Sequence, residues 1–185
     1  MIDAARIAAV GWLAFDLSLL EACARDNTAP DSALAHLTAA QARTMRAFAA
    51  QILPSENGLP GAEEAGAVHF VDRAMGLPYF ADSVPVVHAG LADLDSRATA
   101  SGARDGFASL SSAKQIQLMR EIETTPFFST ARSLVVIGTL ADPSYGGNLG
   151  GAGLKLLNIE HQPSYASPFG WYDAQSISPS AAAGA

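Results

Sequence analysis

The sequence predicts an all-α fold: a compact bundle of about five helices, followed by a long irregular C-terminal arm. Three observations carry that expectation. Apolar residues recur at three- and four-residue spacing along successive stretches, as in helices that bury one face. No stretch alternates in the two-residue period of a half-buried strand, and no β-α-β rhythm appears. Beyond Asp142 charge nearly vanishes, with only Lys155, Glu160 and Asp173 charged from residue 143 to 185.

The first helix is predicted over Thr38–Ile52. Thr38 and Gln41 have capping-box spacing, and Met45, Phe48, Ala49 and Ile52 form its buried stripe. Pro54 and Pro60 bracket a loop. A second helix is expected from Gly61 to Met75, with Glu63 and Glu64 in its first turn, Ala67, Val68, Val71, Ala74 and Met75 inward, and Gly76 as its stop. A third begins near Pro85 and turns Val87, Leu91, Leu94 and Ala98 inward. A fourth follows Ser111 or Ser112 and carries Ile116, Met119 and Ile122.

Proline at a first helical position opens the fifth helix, Pro126–Leu140. It is apolar on most sides and is therefore the expected centre of the bundle. The β-branched run within Leu134–Ile137 is also compatible with a strand.

Three segments result. Residues 1–25 are apolar, 26–142 are the helical domain, and 143–185 are a Gly/aromatic-rich arm. The first segment reads in three ways. Ile7 through Leu20, followed by Glu21-Ala22-Cys23, is similar to a bacterial export segment, with a cysteine where lipoproteins are cleaved and acylated. Asp3 and Arg6 leave its start nearly neutral, and Asp16 would cost roughly 2.5–3.5 kcal/mol at mid-bilayer. A second reading is an amphipathic first helix with Cys23 as a small buried side chain; a third is a membrane span, against which the unbroken apolar run is short of the usual ~20 residues.

Composition narrows the function classes. Apolar residues make up 49% and charged residues only 16%, so much of the surface is either small and neutral or covered by a partner. A net charge of −7 without a basic patch argues against nucleic-acid binding. A single cysteine permits neither an intrachain disulfide nor a thiolate metal site.

No complete catalytic motif is present. Gly-x-Ser-x-Gly, His-Glu-x-x-His and a phosphate-binding Gly-Lys-Ser/Thr loop are all missing. His69 sits among Glu63, Glu64, Asp72 and Arg73, but its closest helical neighbour by spacing is Arg73, which is a poor metal partner. His36, His88 and His161 read as packing residues or show no partner, and Asp72, Asp93 and Asp95 read as solvated or salt-bridged. Arg73 could pair with Asp72 or with a carbonyl of the arm.

The sharpest feature is Pro143-Ser-Tyr-Gly-Gly-Asn-Leu-Gly-Gly-Ala-Gly153. Glycines there allow another backbone to come close. Asn148 either satisfies backbone groups in a turn or faces a partner.

With the segments Ile52-Leu-Pro54, Gly61-Ala-Glu-Glu-Ala-Gly-Ala-Val-His-Phe-Val-Asp-Arg73 and Asp142-Pro-Ser-Tyr-Gly-Gly-Asn148 in hand, the chain resembles the gluconate 2-dehydrogenase subunit 3 family over roughly 37–158. Where the family pattern continues with Gly-Trp-Lys, this chain has Gly153-Leu154-Lys155. The resemblance implies a helical, non-catalytic small subunit of a bacterial FAD-dependent sugar or polyol dehydrogenase. FAD is expected in the partner, a GMC-type catalytic subunit, and none in this chain; a cytochrome c subunit often completes such complexes. The resemblance also implies a periplasmic site and export in company with the folded flavoprotein; contact with the inner membrane is expected only indirectly, through the partner or, on the lipoprotein-like reading of the first segment, through Cys23.

Partner contacts are expected at Tyr145, Gly146, Gly147, Asn148, Phe169, Trp171 and Tyr172, because interface energy concentrates in large aromatics. No catalytic, cofactor-binding or metal-binding residue is assigned. A self-contained metal-dependent hydrolase using His69, and a lipid-anchored scaffold, are the alternative readings.

Overall fold

The structure is a computed structural model that describes residues 34–159. The apolar N-terminal segment with Cys23, the histidine at 161, and the aromatic contacts expected at Phe169, Trp171 and Tyr172 lie outside the described residues.

Thr38 starts helix α1 (Ala39–Ile52) as the sequence dictates. Its side chain accepts from the Gln41 amide, and Gln41 answers by accepting from the Thr38 amide at 2.9 Å. Two of the four orphan N–H groups of a helix start are satisfied this way. Met45, Phe48 and Ala49 are buried as expected.

Helix α2 (Ala67–Met75) begins later than its apolar pattern suggests. Gly66 is left-handed, at φ 64°, and breaks the run. Residues 61–66 form a separate turn, so Glu63 and Glu64 precede the helix rather than sit in its first turn.

Helix α3 (Ser83–Ala100) buries Val87, Leu91, Leu94 and Ala98, the stripe read from the sequence. Helix α4 (Ser112–Glu121) buries Gln115, Leu118 and Met119, while Ile116 is exposed. Gln115 takes the inner place because it is satisfied there: its carbonyl accepts from Gln51, and its amide donates to the Phe107 carbonyl at 3.1 Å.

Helix α5 (Pro126–Leu140) is capped by Thr125, which accepts from the Phe128 amide. Its Val135 region is helical, which settles the strand alternative. It packs on both α2 and α3. Glycines make those approaches: a Cβ on Gly90 of α3 would overlap the Phe127 ring, and one on Gly138 would lie 2.8 Å from Phe70 Cβ. Its outer face is less buried than expected, with Ile137 exposed.

The core joins all five helices. Phe48 is fully buried and meets Phe127 at 5.6 Å and Phe128 at 5.7 Å between ring centroids. Truncating such an aromatic typically costs about 3–5 kcal/mol. Residues 143–159, expected as the start of an irregular arm, fold instead as 3-10 turns at Pro143–Tyr145 and Leu149–Gly151 and a short helix α6 (Ala152–Leu156). Among the described residues there are six helices and no strand, and no helix is long and apolar enough to cross a membrane.

Candidate functional site

The glycine cluster closes over the C-terminal end of α5. Helix α5 stops at Ala141, whose extended backbone turns the chain away. Asp142 caps the next turn by accepting from the Ser144 amide at 2.9 Å. The chain then doubles back, and the Asn148 amide donates to the Gly138 carbonyl at 2.8 Å. This return requires glycine. A Cβ on Gly147 would overlap the Gly138 carbonyl, and one on Gly153 would overlap the Thr139 carbonyl.

Asn148 is 1% exposed and sits at φ 48°, in the left-handed region. Its amide nitrogen donates to the Ala141 carbonyl at 2.9 Å, and its side-chain oxygen accepts from the Gly153 amide at 2.7 Å. Both ends of the side chain are thus used within the chain, which is the turn-closing reading of this residue. Gly147 is likewise buried. Gly146 is half-buried beneath the Arg73 guanidinium, where a Cβ would come within 3.0 Å. Tyr145 alone of the four projects outward, at 62% exposure.

The closure also ties the two distant motif segments together. Next to Asn148, the Leu149 amide donates to the Ala65 carbonyl at 3.0 Å, and the Leu149 side chain packs on Gly66. Beside this junction lies a cavity of about 310 Å³ between α1 and the start of α2, walled by Arg46, Ala49, Val68, His69 and Leu149. A second cavity, of about 520 Å³, shares Glu64 and Leu149 with it and runs on past Leu59, Pro60 and Lys155. Together they form one open cleft along the seam. Leu59 is 44% exposed at its edge.

Glu64 braces the wall of this cleft. It accepts from the Ser55 hydroxyl at 2.5 Å and from the Gly61 amide at 2.9 Å. The Ser55 hydroxyl, then the Gly61 amide, hold its carboxyl below the ordinary 4.5, so it is ionised at neutral pH.

Other titratable groups serve structure. Asp72, expected to be solvated or salt-bridged, is buried, and its carboxylate accepts from the amides of Ala35, His36 and Leu37 at 2.7–2.8 Å. Asp95 accepts from the Thr44 hydroxyl and from the Phe107 amide. His88, read as a satisfied packing residue, has a buried Nε2 with no hydrogen-bond partner among the described residues. His36 lies over Gly76. Among the described residues, no group of three or more His, Cys, Asp or Glu side chains could hold a metal ion.

Sequence reasoning passed over Arg46 and Leu149. The signal for Arg46 was its position directly after Met45, on the flank of the buried stripe. Leu149 was simply the apolar residue inside the glycine cluster.

Among known proteins, no curated protein and no solved structure matches the chain. The family model of gluconate 2-dehydrogenase subunit 3 matches residues 39–159, a span that contains both motif segments and the whole cleft. Such a subunit implies a dehydrogenase partner. The chain, with its two motif segments joined at Leu149 and Ala65, belongs to the gluconate 2-dehydrogenase subunit 3 family.

Proposed function

We propose that this protein is the non-catalytic small subunit of a periplasmic FAD-dependent sugar or polyol dehydrogenase, and that it supports the maturation, export or stability of the flavoprotein subunit. FAD and the sugar pocket belong to that GMC-type partner. One observation carries the reading. The residues that mark the family are spent on shape: Asn148, Gly147 and Gly153 close a turn, and Leu149 joins that turn to Ala65 beside an open cleft. A surface built this way suits recognition, in which complementary shape and a few buried anchors supply the energy.

The test is to express the neighbouring flavoprotein gene with and without this chain, then measure FAD content and sugar oxidation in the periplasmic fraction. The reading expects loaded, active flavoprotein only in the presence of this chain. Equal periplasmic activity without it overturns the reading.

A further inference from the structure

Directly after α2, Leu77, Pro78 and Tyr79 are all exposed, Leu77 at 49% and Tyr79 at 88%. A run of bare apolar residues is costly in water and marks a surface that something covers. This run is also held in shape. Pro78–Phe80 form a 3-10 turn, and the Tyr79 ring stands edge-on to Phe80, with centroids 4.9 Å apart and an interplanar angle of 86°. Phe80 packs in turn on the core. Tyr79 is therefore presented to solvent on a fixed base.

The described chain begins beside this turn. The Asp72 carboxylate accepts from the amides of Ala35, His36 and Leu37, which fastens the entering chain to α2. The His36 ring lies over Gly76, the residue before Leu77. Leu34 and Phe80 both pack, partly buried, against the same core. The residues that precede Leu34 thus start next to Leu77 and Tyr79. Among them is a stretch, Ile7 to Leu20, whose only charged residue is Asp16. The residues between Leu20 and Leu34 are ample to turn back onto the turn, at about 3.3 Å for each extended residue. Tethering selects the occupant. A segment on a short linker meets its site at an effective concentration in the millimolar range, above that of a separate protein or a second copy.

We propose that the apolar stretch Ile7–Leu20 is retained in the mature protein and docks on the Leu77–Phe80 turn, where it covers Tyr79. The contact lies within one chain and holds whether or not a flavoprotein is bound.

The test uses the purified full-length chain, without lipid or partner. Its intact mass is measured first, and a mature chain that has lost Ile7–Leu20 overturns the proposal. In a Trp171→Phe background Trp12 is the sole indole, and tyrosine nitration mapped by mass spectrometry reads Tyr79 directly. Trp12 should be shielded from acrylamide, and Tyr79 should be nitrated several-fold more slowly than Tyr145, although Tyr79 is the more exposed of the two among the described residues. Leu13→Asp, outside the helical body, should raise both the quenching of Trp12 and the nitration of Tyr79 several-fold. Leu77→Ser combined with Tyr79→Ser should expose Trp12 in the same way, with circular dichroism verifying the fold; if that variant does not fold, Leu13→Asp decides alone. An accessible Trp12, rapid nitration of Tyr79 in the wild type, or no response to Leu13→Asp overturns the proposal. So does shielding that appears only at high protein concentration, on addition of phosphatidylcholine–phosphatidylglycerol vesicles, or on addition of the flavoprotein, since each assigns the turn to a different occupant.

Discussion

The amide of Leu149 donates to the carbonyl of Ala65 at 3.0 Å, and this bond fastens the glycine cluster to the turn that precedes α2. The Leu149 side chain fills the space a Cβ on Gly66 would need, at 2.5 Å from Leu149 Cδ1. Gly66 therefore answers two demands at once, a left-handed backbone and a close neighbour. Two segments far apart in sequence form one surface because of this pair.

Glycine is needed in the cluster for different reasons at different positions, and substitution separates them. Gly147→Ala drives a Cβ into the Gly138 carbonyl and should cost more than about 3 kcal/mol or abolish folding. Gly150→Ala faces open space and meets only the left-handed penalty, about 1–2 kcal/mol. Urea titration of the two variants reads the difference.

Asn148→Ala should cost about 3 kcal/mol in the same assay. It strips partners from the Ala141 carbonyl and the Gly153 amide and keeps a side chain at φ 48°. Asn148→Gly relieves the backbone but not the lost bonds, so its cost should be smaller but still clear.

Asp72→Ala removes the shared acceptor of three amides and should destabilise the protein by about 2–4 kcal/mol. Hydrogen exchange gives the specific signature. The amides of Ala35, His36 and Leu37 should lose protection together, beyond the change seen across α1.

Glu64 gives a pH signature. Its folded-state carboxyl lies below the ordinary 4.5, so its contribution is complete above that value and is lost as pH falls through the lower, folded value. The stability gap between the wild type and Glu64→Gln should therefore close on acidification below 4.5, and Ser55→Ala should narrow it in the same direction. A gap independent of pH would contradict the assignment.

The fold was legible where its causes are local. Thr38 and Gln41 announce their helix, and the apolar run from Phe127 to Leu140 announces the central one. Asn148 between glycines also suggested a backbone-closing turn, which is the one observed. The misplaced start of α2 has a distant cause, since Leu149 makes the space at Gly66 unavailable to a side chain. Asp72 was misread for the same reason: its three partners lie 35–37 residues earlier. Burial of the polar Gln115 was not legible, because it depends on Gln51 and the Phe107 carbonyl, which the fold brings to it. The cleft was invisible in the sequence because its walls come from α1, the 61–66 turn and the glycine cluster, which only the fold brings together.

Native mass spectrometry of this chain co-purified with the flavoprotein subunit proposed as its partner tests the central claim most directly. The account predicts a heterocomplex of defined stoichiometry with one FAD per flavoprotein subunit and none on this chain. A chain that stays monomeric in the presence of that flavoprotein, or that oxidises a sugar by itself, would contradict it.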